Sequence, residues 1–385
     1  MQSAYRAALM IGLVSGLLWA NFKVSAQPTV PTVTPSPPPP GVILPSPTPV
    51  PTAVLVNNSL PLPDLQPITR QNVTALEQLF TLQCRMTGLQ GYQPEIHDLL
   101  FSPIENRLVI VAQGVTCIYD LNTPEAPPVT IDVTGWSSAG AFFAADGRSL
   151  YTLHAGNEVF EWHVTTGDQQ MTEVQGVYLW NVGQNLALSP DGTLLATGTQ
   201  YWLRLWDMAA ETTVVNVNVG RVTALAWSRD GTRLATIEAG RLGLYTLYPG
   251  PRLFRDDVLP TIGSGIGLAF GGPDGDLLAY TNGDHVVVMD VSSGEVMATP
   301  AIDSSQMAQF AQQSLVFNPA DPYILLGTGW NTFILWDVEA DQYLWDYVLD
   351  PFVYTLGARH AAFNADGTLL VLGAGESLTV WGVPQ

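Results

Sequence analysis

The chain has few charged residues for its length. Only 12% of its 385 residues are charged, and 34 acidic residues against 14 basic ones give a net charge of −20. No basic stripe of the kind that binds nucleic acid is visible, so the sequence predicts no nucleic-acid partner. The acidity also argues against docking on anionic membrane headgroups. It indicates a soluble, self-repelling surface, with a cation-binding surface as the alternative.

Motifs of the common enzyme classes are also missing. The sequence contains no HExxH, CxxC, GxSxG or P-loop pattern. Residues 263–267 are rich in glycine, but no helix follows that could present its N-terminus to a phosphate. The histidines are scattered without the spacing of metal ligands: His97, His154, His163, His285 and His360. The sequence therefore predicts no catalytic residue, no cofactor and no metal, and a protein that is not an enzyme.

The N-terminus has the pattern of a secretory signal peptide over residues 1–26. Arg6 supplies the positive charge, residues 7–20 are apolar, and Val24-Ser25-Ala26 offers a small-residue cleavage pattern. An apolar run of this length is shorter than the ~20 residues that span a bilayer, and an uncleaved anchor is the alternative. We therefore expect a secreted or cell-surface-tethered protein, with any membrane tether at the N-terminus alone.

Residues 27–67 hold 14 of the chain's 29 prolines, with threonine, serine and valine between them. This composition favours extended polyproline II and predicts a linker that joins no sheet. A proline-rich ligand for an aromatic groove is the alternative interpretation. The folded domain is then expected over residues 68–385.

Seven similar units follow the linker. The clearest unit, from Asn185 to Met208, has three short apolar strands separated by a Ser-Pro-Asp-Gly turn and a second, glycine-containing break. Its counterparts are anchored at the end of the first strand by a large apolar residue, and these anchors are Phe101, Phe143, Leu188, Trp227, Phe270, Phe317 and Phe363. Their spacing of 39 to 47 residues is that of four-stranded propeller blades. The sequence therefore predicts an all-β, seven-bladed β-propeller of antiparallel blades.

The units resemble the WD-repeat β-propeller family through Trp206-Asp207 and Trp336-Asp337. The sequence departs from the family pattern at the positions where the family has histidine and aspartate. The turn positions where that family places aspartate are here Gln113, Gly156, Gln200, Ala239, Gly283, Trp330 and Gly375. We therefore expect blade packing to depend on apolar and aromatic contacts rather than on the family's polar network.

The last unit stops at Trp381 without a fourth strand, whereas residues 78–82 form a strand-like segment ahead of the first unit. In WD-repeat propellers such a segment closes the ring, which removes an exposed sheet edge. We predict the same closure here. Cys84 and Cys117 then lie in different blades, so we expect two unpaired buried thiols, with a disulfide as the alternative.

Aromatic residues are frequent in the loops that the resemblance places on one face of the ring. These loops contain Trp202, Trp330, Tyr201, Trp136, Trp180, Tyr178, Phe310 and Phe352, with Tyr92 and Tyr354 as further members. Aromatic side chains on loops act as interface anchors, although some could fold back into the core. We expect a monomeric, non-enzymatic scaffold that binds a protein partner through this face. The alternatives are a propeller hydrolase acting in the channel and a glycan-binding propeller.

Overall fold

The computed structural model describes the chain from Leu62 onward, with internal gaps. The described residues are 62–84, 96–112, 114–132, 138–154, 158–171, 186–248, 252–261, 267–282, 285–300, 314–328, 332–348, 359–374 and 377–385. The predicted signal peptide and most of the predicted linker lie outside them.

The N-terminal segment contributes two strands and one turn of helix before the first blade. They are β1 (Leu65–Gln66), a 3-10 turn (Val73–Ala75) and β2 (Glu77–Gln83). Leu65 and Gln66 belong to the range that the sequence assigns to the linker, yet they pair with the C-terminal strand. This differs from the prediction that the proline-rich segment joins no sheet.

Blades 1 to 3 follow in chain order, each with four antiparallel strands. Their strands are β3 (Ile96–Phe101), β4 (Arg107–Ala112), β5 (Val115–Asp120), β6 (Val129–Asp132), β7 (Ser138–Phe143), β8 (Ser149–His154), β9 (Glu158–His163), β10 (Gln169–Met171), β11 (Leu186–Leu188), β12 (Leu194–Gly198), β13 (Trp202–Asp207) and β14 (Thr212–Asn218).

Blades 4 to 6 repeat the arrangement, and blade 7 has three strands of its own. These strands are β15 (Val222–Trp227), β16 (Arg233–Glu238), β17 (Arg241–Tyr248), β18 (Arg252–Thr261), β19 (Leu268–Gly271), β20 (Leu277–Asn282), β21 (His285–Asp290), β22 (Val296–Ala298), β23 (Leu315–Phe317), β24 (Ile324–Thr328), β25 (Thr332–Asp337), β26 (Gln342–Val348), β27 (Arg359–Phe363), β28 (Leu369–Ala374) and β29 (Ser377–Pro384).

The innermost strands of the blades contact one another around a closed ring, and β27 of blade 7 meets β3 of blade 1. Strand β2 pairs antiparallel with β29 from Glu77↔Gly382 to Gln83↔Ser377 and supplies the fourth strand of blade 7. The predicted seven-bladed propeller and its closure by the N-terminal strand are both confirmed. We name the junction of blades 7 and 1 the closing seam.

Apolar residues are buried mainly between blades, because each sheet has one blade on either side. The described residues form one buried cluster at each of the seven seams. In blade 2 the Trp162 indole of β9 donates to Thr152 Oγ1 of β8 at 2.7 Å, a hydrogen bond within one sheet rather than between blades. The expectation of mainly apolar seams agrees with this arrangement.

The turns between the first and second strands are held by local side-chain hydrogen bonds. In blade 3, Asp191 accepts hydrogen bonds from Ser189 Oγ at 2.6 Å and from Thr193 N at 3.0 Å. Gly192 has φ 74°, and a Cβ there would lie 2.6 Å from Ala145 Cβ in the turn of blade 2. Only glycine suits this position, because the turn requires a positive φ and the neighbouring blade leaves no room.

The cysteines form a disulfide, with Cα atoms 5.7 Å apart, so the expectation of two free thiols was wrong. Cys84 directly follows β2, and Cys117 lies in β5 of blade 1. The register of β2 brings its end against that strand, where Tyr119 donates its hydroxyl to Gln83 O at 2.7 Å. The bridge therefore crosses the closing seam.

Candidate functional site: the loop face and the central channel

The turns joining second to third strands lie beside the segments that lead into the next blade. Between blades 3 and 4, Val222 N donates to Thr199 O at 3.0 Å, and Val219 N donates to Tyr201 O at 3.1 Å. Ala239 N in the corresponding turn of blade 4 donates to Arg221 O at 2.7 Å. Here the two kinds of loop share one face, as the sequence predicts. We name it the loop face.

Tyr201 and Trp202 are the predicted binding residues that the structure describes, and they adjoin on this face. The Tyr201 side chain is 57% exposed, whereas Trp202 begins β13 and is half-buried. Their turn is tied at both ends, because Trp202 N donates to Thr199 Oγ1 and Thr199 N donates to Trp202 O, both at 2.9 Å. The turn therefore presents Tyr201 from a fixed backbone.

The other aromatic residues assigned to the binding face lie outside the described residues. They are Trp330, Trp136, Trp180, Tyr178, Phe310, Phe352, Tyr92 and Tyr354. Their part in binding stays a prediction.

Two arginines near Tyr201 were missed by the sequence analysis. Arg221 and Arg241 are both exposed, and the hairpin between β16 and β17 holds Arg241 beside the Ala239 that bonds Arg221. Among the residues whose side chains the structure describes, neither arginine forms an ion pair. Six of the chain's 14 basic residues lie between 221 and 255, which is the signal that could have found them. We name Tyr201, Trp202, Arg221 and Arg241 the binding corner.

A central channel runs between the innermost strands of the seven blades. It contains a cavity of about 340 Å³ whose walls include residues of each of those strands. A second cavity of about 340 Å³ extends from it toward Pro103 and Pro190 in the turns of blades 1 and 3. Asp98, Ala141 and Leu186 line both cavities.

Asp98 is the carboxylate of this channel wall, and burial raises its pKa to about 7. Its Oδ1 accepts the N–H of Leu99 at 2.9 Å, and the N–H of Ala141 in blade 2 also bonds the carboxylate. These two amides favour the ionised form, but they offset only part of the desolvation cost. The side chain therefore titrates near neutrality.

His360 joins blade 7 to blade 1 beneath the channel surface. Its Nε2 lies 3.1 Å from Ile96 O, and because a carbonyl can only accept, Nε2 carries the proton. Burial lowers the pKa of His360 to about 4. The ring is therefore neutral near pH 7 and acts in the closing seam.

The described lining residues of the two cavities include one carboxylate, that of Asp98. No cluster of described residues has three groups that could hold a metal ion. Within the described ranges, no helix is long and apolar enough to cross a membrane.

Comparison with known proteins adds no family to this description. No family model matches the chain, and no curated protein matches it.

Proposed function

We propose that this protein is a non-enzymatic, extracytoplasmic binding platform that holds a protein partner on the loop face of its propeller. The observation that carries the proposal is Tyr201, which is 57% exposed on a turn fixed by backbone hydrogen bonds. An aromatic side chain on a rigid turn loses little entropy when it binds, which is typical of interface anchors.

The charges at the binding corner favour an acidic partner. Arg221 and Arg241 are exposed and form no ion pair with a side chain that the structure describes, while the protein as a whole carries a net charge of −20. An acidic surface would be attracted to this corner and repelled elsewhere, which fixes orientation as well as affinity. The remaining predicted aromatic residues of the loop face would extend the same interface.

The extracytoplasmic location is supported by two separate features. The N-terminal sequence has the pattern of a secretory signal, and the Cys84–Cys117 disulfide needs an oxidising compartment to form and persist. The fold is a common scaffold for protein interactions, and we interpret its blades as divergent WD repeats. Trp206-Asp207, Trp336-Asp337 and the Trp162–Thr152 hydrogen bond support that interpretation.

The test is affinity capture from the surface fraction of the producing cell, with each captured partner then titrated against variants. Tyr201→Ala should weaken binding by about 2 kcal/mol or more, as hot-spot truncations do. The matched control is Tyr343→Ala, since Tyr343 is 52% exposed but lies on the outer strand of blade 6. Equal loss in both variants, or in neither, would refute binding at this corner.

A further inference from the structure

Leucine side chains and one acidic side chain line the central channel. Around the first cavity the wall includes Leu186, Leu225, Leu268 and Leu315, contributed by four different blades. Asp98 lies where this cavity meets the second one. The cavity is about 340 Å³, which is within the size range of small-molecule sites.

Among the residues whose side chains the structure describes, neither lysine nor arginine lines the two cavities, and His97 is the other titratable residue there. The partners of the carboxylate named above are backbone amides, which donate hydrogen bonds but carry no net charge. An ionised carboxylate in such a site is costly unless an opposite charge joins it.

We propose that the central channel binds a small organic cation, a primary amine with a short aliphatic body. The ammonium group would lie against the Asp98 carboxylate, and the aliphatic body would lie against the leucine side chains of the wall. A cavity of 150 Å³ is enough for benzene, so this one has room for a six-carbon chain. This site is separate from the binding corner and does not depend on the protein partner.

Asp98 also has a structural role, and the experiment must distinguish that role from ligand binding. The carboxylate joins β3 of blade 1 to Ala141 in β7 of blade 2, and that contact alone would explain an acid in the wall. A purely structural carboxylate would affect stability, but it would give no preference for a charged ligand over a neutral one of the same shape.

The experiment is calorimetric titration of the full protein at pH 8 with n-hexylammonium, and with 1-hexanol as the neutral counterpart. We expect saturable one-to-one binding of hexylammonium and at least tenfold weaker binding of hexanol. Asp98→Asn should weaken hexylammonium binding at least tenfold. The control Glu295→Gln, an exposed acid on the outer part of blade 5, should leave it unchanged.

A second variant keeps the test decisive if Asp98→Asn does not fold. A Cβ added at Gly140 would lie 3.9 Å from Asp98 Oδ2 and 3.9 Å from Leu186 Cδ1, which are ordinary contacts. Gly140→Ala should therefore fold and narrow the space beside the carboxylate, weakening hexylammonium binding at least threefold. Absence of saturable binding to the wild type, or equal binding of hexylammonium and hexanol, would overturn the proposal.

Discussion

In blade 7, which borders the closing seam, strands from the two ends of the chain pair with each other, whereas blades 3 and 4 are each built from one continuous stretch of chain. The β2–β29 pairing holds blade 7 together, and the Cys84–Cys117 disulfide and the His360–Ile96 hydrogen bond cross the closing seam to blade 1. The seam of blades 3 and 4 has apolar packing around Leu205 and Leu234 and a buried Glu238 that accepts the Tyr245 hydroxyl at 2.8 Å.

The difference follows from connectivity. Blade 4 cannot move far from blade 3, because the chain passes directly from β14 into β15. Strands β27–β29 of blade 7 follow blade 6 in the chain, whereas β2 precedes blade 1, so the ring is closed by the β2–β29 pairing within blade 7, together with the packing and the disulfide at the closing seam. The binding corner lies at the seam of blades 3 and 4, where the chain itself connects the two blades.

The N-terminal segment contacts blades 6 and 7 through ion pairs and hydrogen bonds in addition to its strand pairing in blade 7. Arg70 forms ion pairs with three acids of blade 6: Asp321 and Glu339 in its turns and Asp337 at the end of β25. Asn318 Nδ2 donates to Ile68 O at 2.8 Å, and Ile68 N donates to Gly367 O at 2.9 Å. The segment ahead of β2 is therefore fixed across blades 6 and 7 before the chain enters the sheet.

Removal of the closing strand should have the largest effect. A chain beginning at Gly88 lacks β1 and β2 and leaves β29 as an open edge, so we expect loss of cooperative unfolding and aggregation. Thermal and urea unfolding measure this effect, with a chain beginning at Leu62 as the control. Similar unfolding of the two chains would contradict the closure.

Loss of the disulfide should have the next largest effect. The bridge closes a loop with a sequence separation of 33, and a loop of that size is worth about 3–4 kcal/mol of stability. The double variant Cys84→Ser/Cys117→Ser should therefore lose about that much free energy of unfolding in urea. Wild-type protein in reductant should unfold like the variant, and an unchanged midpoint in both would show that the bridge does not hold the seam.

His360 should make the closing seam sensitive to acid. The unfolded histidine binds a proton near its ordinary pKa of 6.5, whereas native His360 does so only near pH 4. Stability is therefore lost as pH falls from about 6.5 to about 4, by an amount on the order of 2 kcal/mol.

The variant His360→Gln tests this pH dependence, since glutamine can also donate to Ile96 O. Urea unfolding at pH 7 and pH 4.5 should show a larger loss for wild type than for the variant. Asp98 is common to both proteins, so its titration cancels in the comparison. Parallel losses would mean that His360 does not titrate in this window.

Changes at the binding corner should have the smallest effect on stability. Tyr201→Ala removes an exposed side chain and should change the free energy of unfolding by less than about 0.5 kcal/mol. Trp206→Ala, four residues from the end of that turn, removes a side chain that is 6% exposed and should cost about 3–5 kcal/mol. Thermal melting of the two variants side by side checks this, and a loss for Tyr201→Ala as large as that for Trp206→Ala would mean that Tyr201 is part of the core.

The architecture could be predicted because it repeats. Each anchor predicted for the end of a first strand lies in the innermost strand of its blade, and Phe101 and Phe363 are the last residues of β3 and β27. The closing strand was predictable because one strand-like segment and one incomplete unit were left over. Both predictions depend on the repeat pattern, which can be seen in the amino-acid sequence without knowing how the strands pack.

The disulfide and the candidate sites could not be predicted in the same way. The bridge depends on how far β2 runs past Leu82 and on the stagger of the closing seam, and the repeat pattern specifies neither. The position of Asp98 depends on which side chain of β3 points into the channel. Arg221 and Tyr201 are 20 residues apart in sequence, and they adjoin because the Val219–Tyr201 hydrogen bond brings two loops together.

Native-state hydrogen exchange shows whether the N-terminal strand is an integral part of blade 7. Amides that pair β2 with β29 should exchange as slowly as those that pair β17 with β18, the equivalent strands of blade 4, and reductant should speed exchange at the closing seam first. Rapid exchange of β2 and β29 in the oxidised protein, while blade 4 stays protected, would contradict the account.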